Sequence, residues 1–167
     1  SYPSSILIVT KGENIYEGFI NLHFIKALKE AYPSAQIFWY TYGASVYSNT
    51  LKSLSDPFLD KVFEKTFLFH LWKYKFDFII DTEESFFRLC ALKLLRHHKI
   101  ESNSFKSIFS SDGSPGFQEK HRLKKLMALA SRLGRPLSFV GKRLPLPVEH
   151  RERARQILVP NQKYIGI

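Results

Sequence analysis

The sequence has little cysteine and no long apolar run. Its 167 residues include a single cysteine, Cys90, so no disulfide framework can form within the chain and no zinc site can be built from cysteines. A transmembrane helix needs about 18 or more consecutive apolar residues, and the sequence has no such run. The first five residues also lack the basic region and apolar stretch of a signal peptide. We therefore expect a chain that works in a reducing, cytoplasmic compartment.

Acidic residues are scarce in the second half of the chain. Residues 1–84 contain 8 basic and 10 acidic residues, whereas residues 85–167 contain 17 basic and 5 acidic ones. The excess of positive charge, +10 at pH 7, therefore lies entirely in the second half. This asymmetry predicts an anionic partner, which is a nucleic acid, a phosphorylated sugar lipid or an acidic membrane surface. Charge alone fits equally well with basic helix faces that are merely solvated.

Apolar and aromatic residues are plentiful. Hydrophobic residues make up 44% of the chain and aromatic residues 15%, which predicts one compact domain with an aromatic-rich core. Short apolar segments alternate with segments of helical periodicity, and this alternation predicts an α/β fold: a Rossmann-like three-layer sandwich with a mostly parallel sheet. The predicted strands are residues 6–9, 36–42, 61–64, 76–81 and 104–109. The predicted helices are residues 20–31, 45–54, 86–95, 119–133 and 149–158, with one or two helical turns at residues 67–74.

Two glutamates lie in the loop that joins the first strand to the first helix, residues 11–18. In open α/β sheets ligands bind at the carboxyl ends of the strands, which places Glu13 and Glu17 at such an edge. The loop has neither the GxGxxG nor the GxxxxGK[ST] spacing, so it predicts neither a dinucleotide nor an ATP site. A carboxylate at this edge can act as a general base. An acidic first helical turn, favoured by the helix dipole, explains the same residues more simply.

Three further acidic residues follow the strand of residues 76–81 at the same predicted edge. Asp81, Glu83 and Glu84 can bind the hydroxyl groups of a sugar or a metal ion. No histidine accompanies them at helical spacing, so we predict no metal site. Asp81 can also simply cap the turn, with the other two carboxylates in solvent.

Basic residues cluster at the start of the helix predicted at residues 119–133. Lys120, His121, Arg122 and Lys124 can capture phosphate groups, or they can form a solvated helix face. His97 and His98 follow the helix predicted at residues 86–95, and cations are favoured at a helix C-terminus.

The order of these segments resembles the ADP-heptose:lipopolysaccharide heptosyltransferase family, glycosyltransferase family 9. Residues 25–37, Ile-Lys-Ala-Leu-Lys-Glu-Ala-Tyr-Pro-Ser-Ala-Gln-Ile, are similar to the family pattern RALK..YP.A.I, and residues 74–81 are similar to its YDLVID strand. Arg88 lies in a segment similar to the family's LRSALLARL helix. Weaker matches, in the same order, are residues 121, 132–134, 144–147 and 164–167. The resemblance covers nearly the whole chain.

The resemblance implies the N-terminal half of a GT-B glycosyltransferase. Residues 1–160 would form the acceptor-binding domain, and residues 161–167 would begin a C-terminal domain that binds the nucleotide-sugar, so we expect this fragment to be inactive alone. The implied reaction is an inverting transfer from an ADP-heptose-like donor to a lipopolysaccharide-core or related glycan acceptor, without metal or other cofactor. Glu17 is the implied base and Glu13 the second choice. The implied acceptor-binding residues are Asp81, Glu83, Glu84, Arg88, Lys120, His121, Arg122 and Lys124.

The sequence departs from the family at two positions that matter for catalysis. Tyr16-Glu17-Gly18 stands near the family's Gly-Asp, and Asp81-Thr82-Glu83-Glu84 stands where the family has D.QG. A non-catalytic domain of the same fold, which binds an anionic glycolipid or another partner, is therefore the alternative hypothesis. A nucleic-acid partner is disfavoured, because no known RNA- or DNA-binding motif is present. The expected location of the full-length protein is the cytoplasm, with peripheral contact to the inner membrane.

Overall fold

The computed structural model describes residues 2–83 and 85–102, together with the single positions Leu126, Leu137 and Glu152. The strands are β1 (Ser5–Thr10), β2 (Gln36–Thr41), β3 (Lys61–Phe63), β4 (Lys75–Asp81) and β5 (Arg96–Ser102). The α-helices are α1 (Ile15–Ala31), α2 (Lys52–Ser55) and α3 (Phe86–Lys93), and two 3₁₀ helices span Val46–Ser48 and Leu68–Lys73.

The five strands form one sheet in the order β3-β2-β1-β4-β5. Every pairing among them is parallel: Ile6 of β1, for example, lies opposite Ile37 of β2 on one side and Phe78 of β4 on the other. The strand order reverses between β1 and β4, which is the topological switch point of a doubly wound sheet. β1 is the central strand, and all six of its residues are buried.

Two hydrophobic cores lie on opposite faces of this sheet. Ile6 and Ile8 of β1 belong to the core beneath α1, whereas Leu7 and Val9 belong to the core beneath the second 3₁₀ helix and α3. The alternation follows from the period of two residues in a strand. A sheet covered on both faces is the three-layer α/β sandwich that the sequence predicts, so the predicted fold class is confirmed.

Helix α1 begins earlier than the apolar periodicity predicts. The first helical residue is Ile15 rather than Ile20, because Asn14 and Glu17 form a capping box: the Asn14 side chain accepts from the Glu17 N–H, and the Glu17 carboxylate accepts from the Asn14 N–H. The connecting loop is therefore only residues 11–14, and Glu17 lies within the helix. The helix ends before Pro33, as predicted.

The segment after α3 differs from its prediction. The helix ends at Lys93, and His97 and His98 lie in β5 instead of at a helix C-terminus. Within the described residues β5 pairs only with β4, so it is an edge strand of this sheet. Charged side chains are common on edge strands. Residues 45–54, predicted as one helix, contain a 3₁₀ helix and the start of α2. The elements predicted at residues 104–109, 119–133 and 149–158 lie outside the described ranges.

Gly18 allows α1 to pack closely against the short helices that follow β2. A Cβ atom at this position would lie 2.6 Å from Cγ2 of Val46 and 2.8 Å from Cδ1 of Leu51. We expect Gly18→Ala to lower the free energy of unfolding by about 1–2 kcal/mol, because overpacking outweighs the better helix propensity of alanine. Urea denaturation measures this, with Gly43→Ala as control, since a Cβ there meets no atom within 4 Å. Equal stabilities of the two variants would contradict the close packing at Gly18.

Asp77 of β4 fixes the start of β1. Its Oδ2 accepts hydrogen bonds from the N–H and the hydroxyl of Ser4, each at 2.6 Å, and from the Ser5 N–H at 3.3 Å. The Ser4 hydroxyl is the largest cause that holds the pKa of Asp77 below its ordinary value of 3.8, and partial burial opposes it.

Asp77→Ala should therefore be less stable than the wild type by about 1–2 kcal/mol at pH 7. Because the folded-state pKa of Asp77 is lowered, this contribution is fully present above the ordinary value of 3.8 and is lost as the pH falls through the lower folded value. Urea denaturation between pH 7 and pH 2.5 should show that the difference in free energy of unfolding between the wild type and Asp77→Ala becomes smaller only below about pH 3.8. Asp56→Ala is the control, because it removes an exposed ion pair with Lys52. It should lower the free energy of unfolding by less than about 0.5 kcal/mol. A gap that is constant with pH would contradict the role given to Asp77.

Candidate functional site

The loops that follow β1 and β4 meet at the switch point of the sheet. The chain after β4 is fastened to β1 by Thr82, whose N–H and hydroxyl both donate to the Val9 carbonyl, at 3.1 and 2.9 Å. Across the same gap, the Lys11 N–H donates to Oε1 of Glu83 at 3.0 Å. Hydrogen bonds thus join the loops that follow β1 and β4. This is the edge of the sheet at which the sequence predicts the carboxylates.

Asp81 is fully buried at the last position of β4. Its Oδ1 accepts a hydrogen bond from the Glu83 N–H at 3.1 Å, so Asp81 closes the turn that follows the strand. This is the capping role that the sequence allows for Asp81. The contact also directs Glu83 toward the loop after β1, as its bond to Lys11 shows. Glu84, the third carboxylate predicted here, lies outside the described residues.

Glycine is required at position 12 of the loop after β1. Gly12 has a φ of 137°, a backbone conformation that other residues rarely adopt. A Cβ atom there would also lie 3.4 Å from Oγ1 of Thr41, at the end of β2. That hydroxyl is buried and has no hydrogen-bond partner among the residues that the structure describes. The loop therefore passes close over the end of β2, beside a polar atom whose hydrogen bonds are not satisfied.

Glu13 is held by three donors from β2 and the segment that follows it. Its Oε1 accepts from the Ser45 hydroxyl and from the Val46 N–H at 3.1 Å, and its Oε2 accepts from Nε1 of Trp39 at 3.3 Å. Burial raises the pKa of the Glu13 carboxyl above its ordinary value of 4.5, these hydrogen bonds oppose the rise, and the nearby charge of Glu17 adds to it. Both oxygens of Glu13 are thus engaged in holding the loop to its neighbour.

Glu17 lies one helical turn further on, at the more exposed end of the same edge. Its Oε2 accepts from the Asn14 N–H at 3.1 Å and its own N–H donates to Oδ1 of Asn14 at 2.9 Å. The structure therefore brings Glu17, Glu13 and the pair Asp81 and Glu83 to one edge of the sheet. Glu17 also stabilises the helix, as the simpler interpretation of the sequence predicts.

Sequence reasoning missed the residues after β2 that complete this edge. Ser45 donates its hydroxyl to Glu13, and its N–H donates to Oε2 of Glu64 at 2.6 Å. Thr41 and Trp39 are buried at the end of the strand. The available signal was the strand order: in a doubly wound sheet the loop after β2 lies next to the loop after β1.

Of the predicted basic residues, only Arg88 lies within a described element. Arg88 belongs to α3, which begins shortly after this edge, while Lys120, His121, Arg122 and Lys124 lie outside the described residues. Within residues 2–83 and 85–102, no three His, Cys, Asp or Glu side chains come together as metal ligands would. Among the same residues, no helix has the length and apolar character that crossing a membrane requires.

The fold is similar to solved structures of glycosyltransferases. A glycosyl transferase of family 9 from Veillonella parvula superposes with a TM-score of 0.57 at 14% identity, over 92% of this chain and 48% of that one. The E. coli heptosyltransferase WaaC gives a TM-score of 0.54 with ADP bound, over 86% of this chain and 49% of that one, again at 14% identity. Its complex with ADP-2-deoxy-2-fluoro heptose gives 0.53 at 14% identity, over 84% and 51%.

The chain thus spans about half the length of the structures that it matches. No protein-family model and no curated protein sequence matches it. At 14% identity the similarity establishes the fold, which is that of about half of a GT-B glycosyltransferase, as predicted.

Proposed function

We propose that the protein is a glycosyltransferase of the heptosyltransferase type and that this chain forms its acceptor side. The donor is an ADP-heptose-like nucleotide-sugar, and the acceptor is an anionic lipopolysaccharide core or a related glycan. The observation that carries the proposal is the position of Glu13, Glu17, Asp81 and Glu83, which all lie at the carboxyl edge of the sheet, after β1 or at the end of β4. The structural neighbours support it, because they share the fold and include an enzyme named as a heptosyltransferase.

Glu17 is the proposed base. Its carboxylate takes the proton from an acceptor hydroxyl as that oxygen attacks the anomeric carbon of the donor. The bond between this carbon and the diphosphate oxygen breaks, and its electron pair leaves with the nucleoside diphosphate. Attack opposite to the leaving group inverts the configuration at the anomeric carbon. Fixed cationic side chains stabilise the departing diphosphate, so the proposal includes no metal ion.

Glu13 has a positioning role in this proposal and is the second candidate for the base. Three protein donors bind its two oxygens, so a proton from substrate would have to compete with them. The same bonds hold the loop that carries Gly12 against the end of β2. Glu13 thereby fixes the start of α1, and with it the position of Glu17.

The other predicted residues bind the acceptor, except that the fully buried Asp81 acts by closing the turn that positions Glu83. Glu83 and Glu84 accept hydrogen bonds from sugar hydroxyls. The phosphate groups of the acceptor are held by Arg88, Lys120, His121, Arg122 and Lys124. The acceptor is anchored in lipid, so the full-length protein works at the cytoplasmic face of the inner membrane, in peripheral contact with it.

The test is transfer by the full-length protein. It is incubated with a panel of nucleotide-sugars that includes ADP-heptose and with a deacylated lipopolysaccharide-core acceptor, and the products are read by mass spectrometry. A mass gain of one sugar supports the proposal. No gain with any donor, combined with measurable binding of the acceptor, would overturn it in favour of a non-catalytic glycolipid-binding domain.

A further inference from the structure

The connection between β3 and β4 is a 3₁₀ helix, Leu68–Lys73, in place of the α-helix usual in a parallel crossover. Side chains three residues apart eclipse in a 3₁₀ helix, so this one has three distinct faces. Leu68 and Leu71 form the first face and are buried in the core, with exposed fractions of 7% and 0%. Phe69 and Trp72 form the second face and are 63% and 57% exposed.

The aromatic face continues into the residue before the helix. Phe67 is 66% exposed and its ring stacks on that of Phe69, with 5.7 Å between the ring centroids. Three large aromatic side chains within six residues are therefore exposed, while Leu68 and Leu71 are buried. Exposed apolar groups of this size mark a surface that binds a partner.

Basic residues make up the third face and flank the aromatic residues. His70 and Lys73 line a cavity of about 410 Å³ beside β3, together with Lys61 and Glu64. Glu64 is occupied by the Ser45 N–H, at 2.6 Å. Residues 65–75 contain three lysines and one histidine but no acidic residue. Lysines thus flank the aromatic side chains at both ends of the segment.

Lys65, the first residue of this segment, has an unusual backbone conformation. Its φ of 50° lies in the left-handed region, which a lysine rarely adopts, and its N–H donates to the Gly43 carbonyl at 3.3 Å. A sterically unfavourable turn that is retained immediately before exposed aromatic residues favours a role for the segment in binding.

We propose that residues 65–75 form a membrane-docking surface for a bilayer that contains anionic phospholipid. The rings of Phe67, Phe69 and Trp72 enter the interfacial layer, where aromatic side chains are favoured. Lys65 and Lys73, with Lys75, bind the phosphate groups of the lipid heads. Exposed aromatic side chains with lysines on both sides in the sequence complement such a surface in both polarity and charge. The inference rests on the peripheral membrane contact included in the proposed function, and it assigns that contact to a surface other than the basic second half of the chain.

Vesicle co-sedimentation of the full-length protein tests this surface. We expect binding to vesicles of phosphatidylglycerol and phosphatidylcholine, little binding to phosphatidylcholine alone, and weaker binding as salt is raised. Phe67→Ser/Phe69→Ser/Trp72→Ser should weaken binding at least tenfold. Lys65→Asn/Lys73→Ser should weaken it about thirtyfold, since each lysine near an anionic surface contributes about a fivefold factor. Asparagine is chosen at position 65 because it tolerates the left-handed backbone.

Matched controls use equally exposed residues elsewhere. Tyr2→Ser/Leu94→Ser removes exposed apolar side chains, and Lys52→Ser/Lys93→Ser removes exposed lysines. Both should bind vesicles like the wild type. Brominated-chain lipids should quench wild-type fluorescence more than that of Trp72→Phe. Near-ultraviolet circular dichroism establishes that each variant is folded.

Several outcomes would overturn the proposal. Wild-type binding by the aromatic variant, or equal loss in the controls, would show that residues 65–75 do not dock on lipid. Altered self-association without altered vesicle binding would assign the patch to a protein interface. Transfer to the deacylated acceptor, which needs no membrane, separates the two proposals: a docking variant should retain it, and its absence in the wild type would count against the proposed function alone.

Discussion

Glu17→Gln should reduce sugar transfer by the full-length protein about 10²- to 10⁴-fold, the range that a general base contributes. Glutamine retains the capping box, because its side-chain oxygen still accepts from the Asn14 N–H. The helix should therefore stay in place while the basic carboxylate is lost. Initial rates with saturating donor and acceptor, measured by mass spectrometry beside urea denaturation of each variant, check this.

Two comparisons make the result specific. Glu17→Ala should lose transfer equally and also lose about 0.5–1.5 kcal/mol of stability, because alanine removes the half of the capping box in which the Glu17 carboxylate accepts from the Asn14 N–H. Normal transfer in Glu17→Gln, with loss in a folded Glu13→Gln, would reassign the base to Glu13.

Trp39→Ala should lower the free energy of unfolding by about 3–5 kcal/mol. Trp39 is fully buried on β2 and its ring packs edge-on against Tyr47, with 5.0 Å between the centroids. Small domains are stable by only about 5–15 kcal/mol, so this loss is a large share of the total. It also removes the Nε1 donor to Glu13, at 3.3 Å, so the loop that precedes the helix with the candidate base should loosen. Urea denaturation gives the value.

Trp39→Phe separates packing from hydrogen bonding. Phenylalanine keeps most of the buried area but has no donor, so it should cost about 1–3 kcal/mol, chiefly from the bond to Glu13. Combined with Glu13→Gln, its effect should be less than additive, because both changes break the same contact. A Trp39→Ala variant within about 1 kcal/mol of the wild type would contradict the packing described for this side chain.

The fold was largely predictable because its central strands have a simple signature. β1, β2 and β4 are short apolar segments, as expected for strands buried on both faces. β5 was not predicted, since its sequence, Arg-His-His-Lys-Ile-Glu-Ser, has the charge of a helix terminus. Only its pairing with β4 makes it a strand, and single-sequence periodicity does not contain that information.

The position of the candidate site could be predicted from the sequence better than the role of each of its residues. Strand order alone places Glu13, Glu17 and Asp81 at one edge of the sheet. Which of the two glutamates is embedded in protein contacts depends on Ser45 and Trp39, which are distant in sequence. The spacing of Asn14 and Glu17 is that of a capping box, so the sequence does contain a signal for the observed start of α1 at Ile15.

The central place of β1 has a consequence for biosynthesis. Ser5–Thr10 leaves the ribosome well before β4, because its contact with β4, such as that between Ser5 and Asp77, joins residues 72 apart. At about 5–20 residues per second, this strand waits roughly 4 to 14 seconds for its second neighbour. Until then one edge of a strand with four consecutive apolar residues, 6–9, is unpaired, which makes the nascent chain prone to aggregation. Translational pauses before residue 81 should therefore lower the yield of soluble protein more than pauses after it.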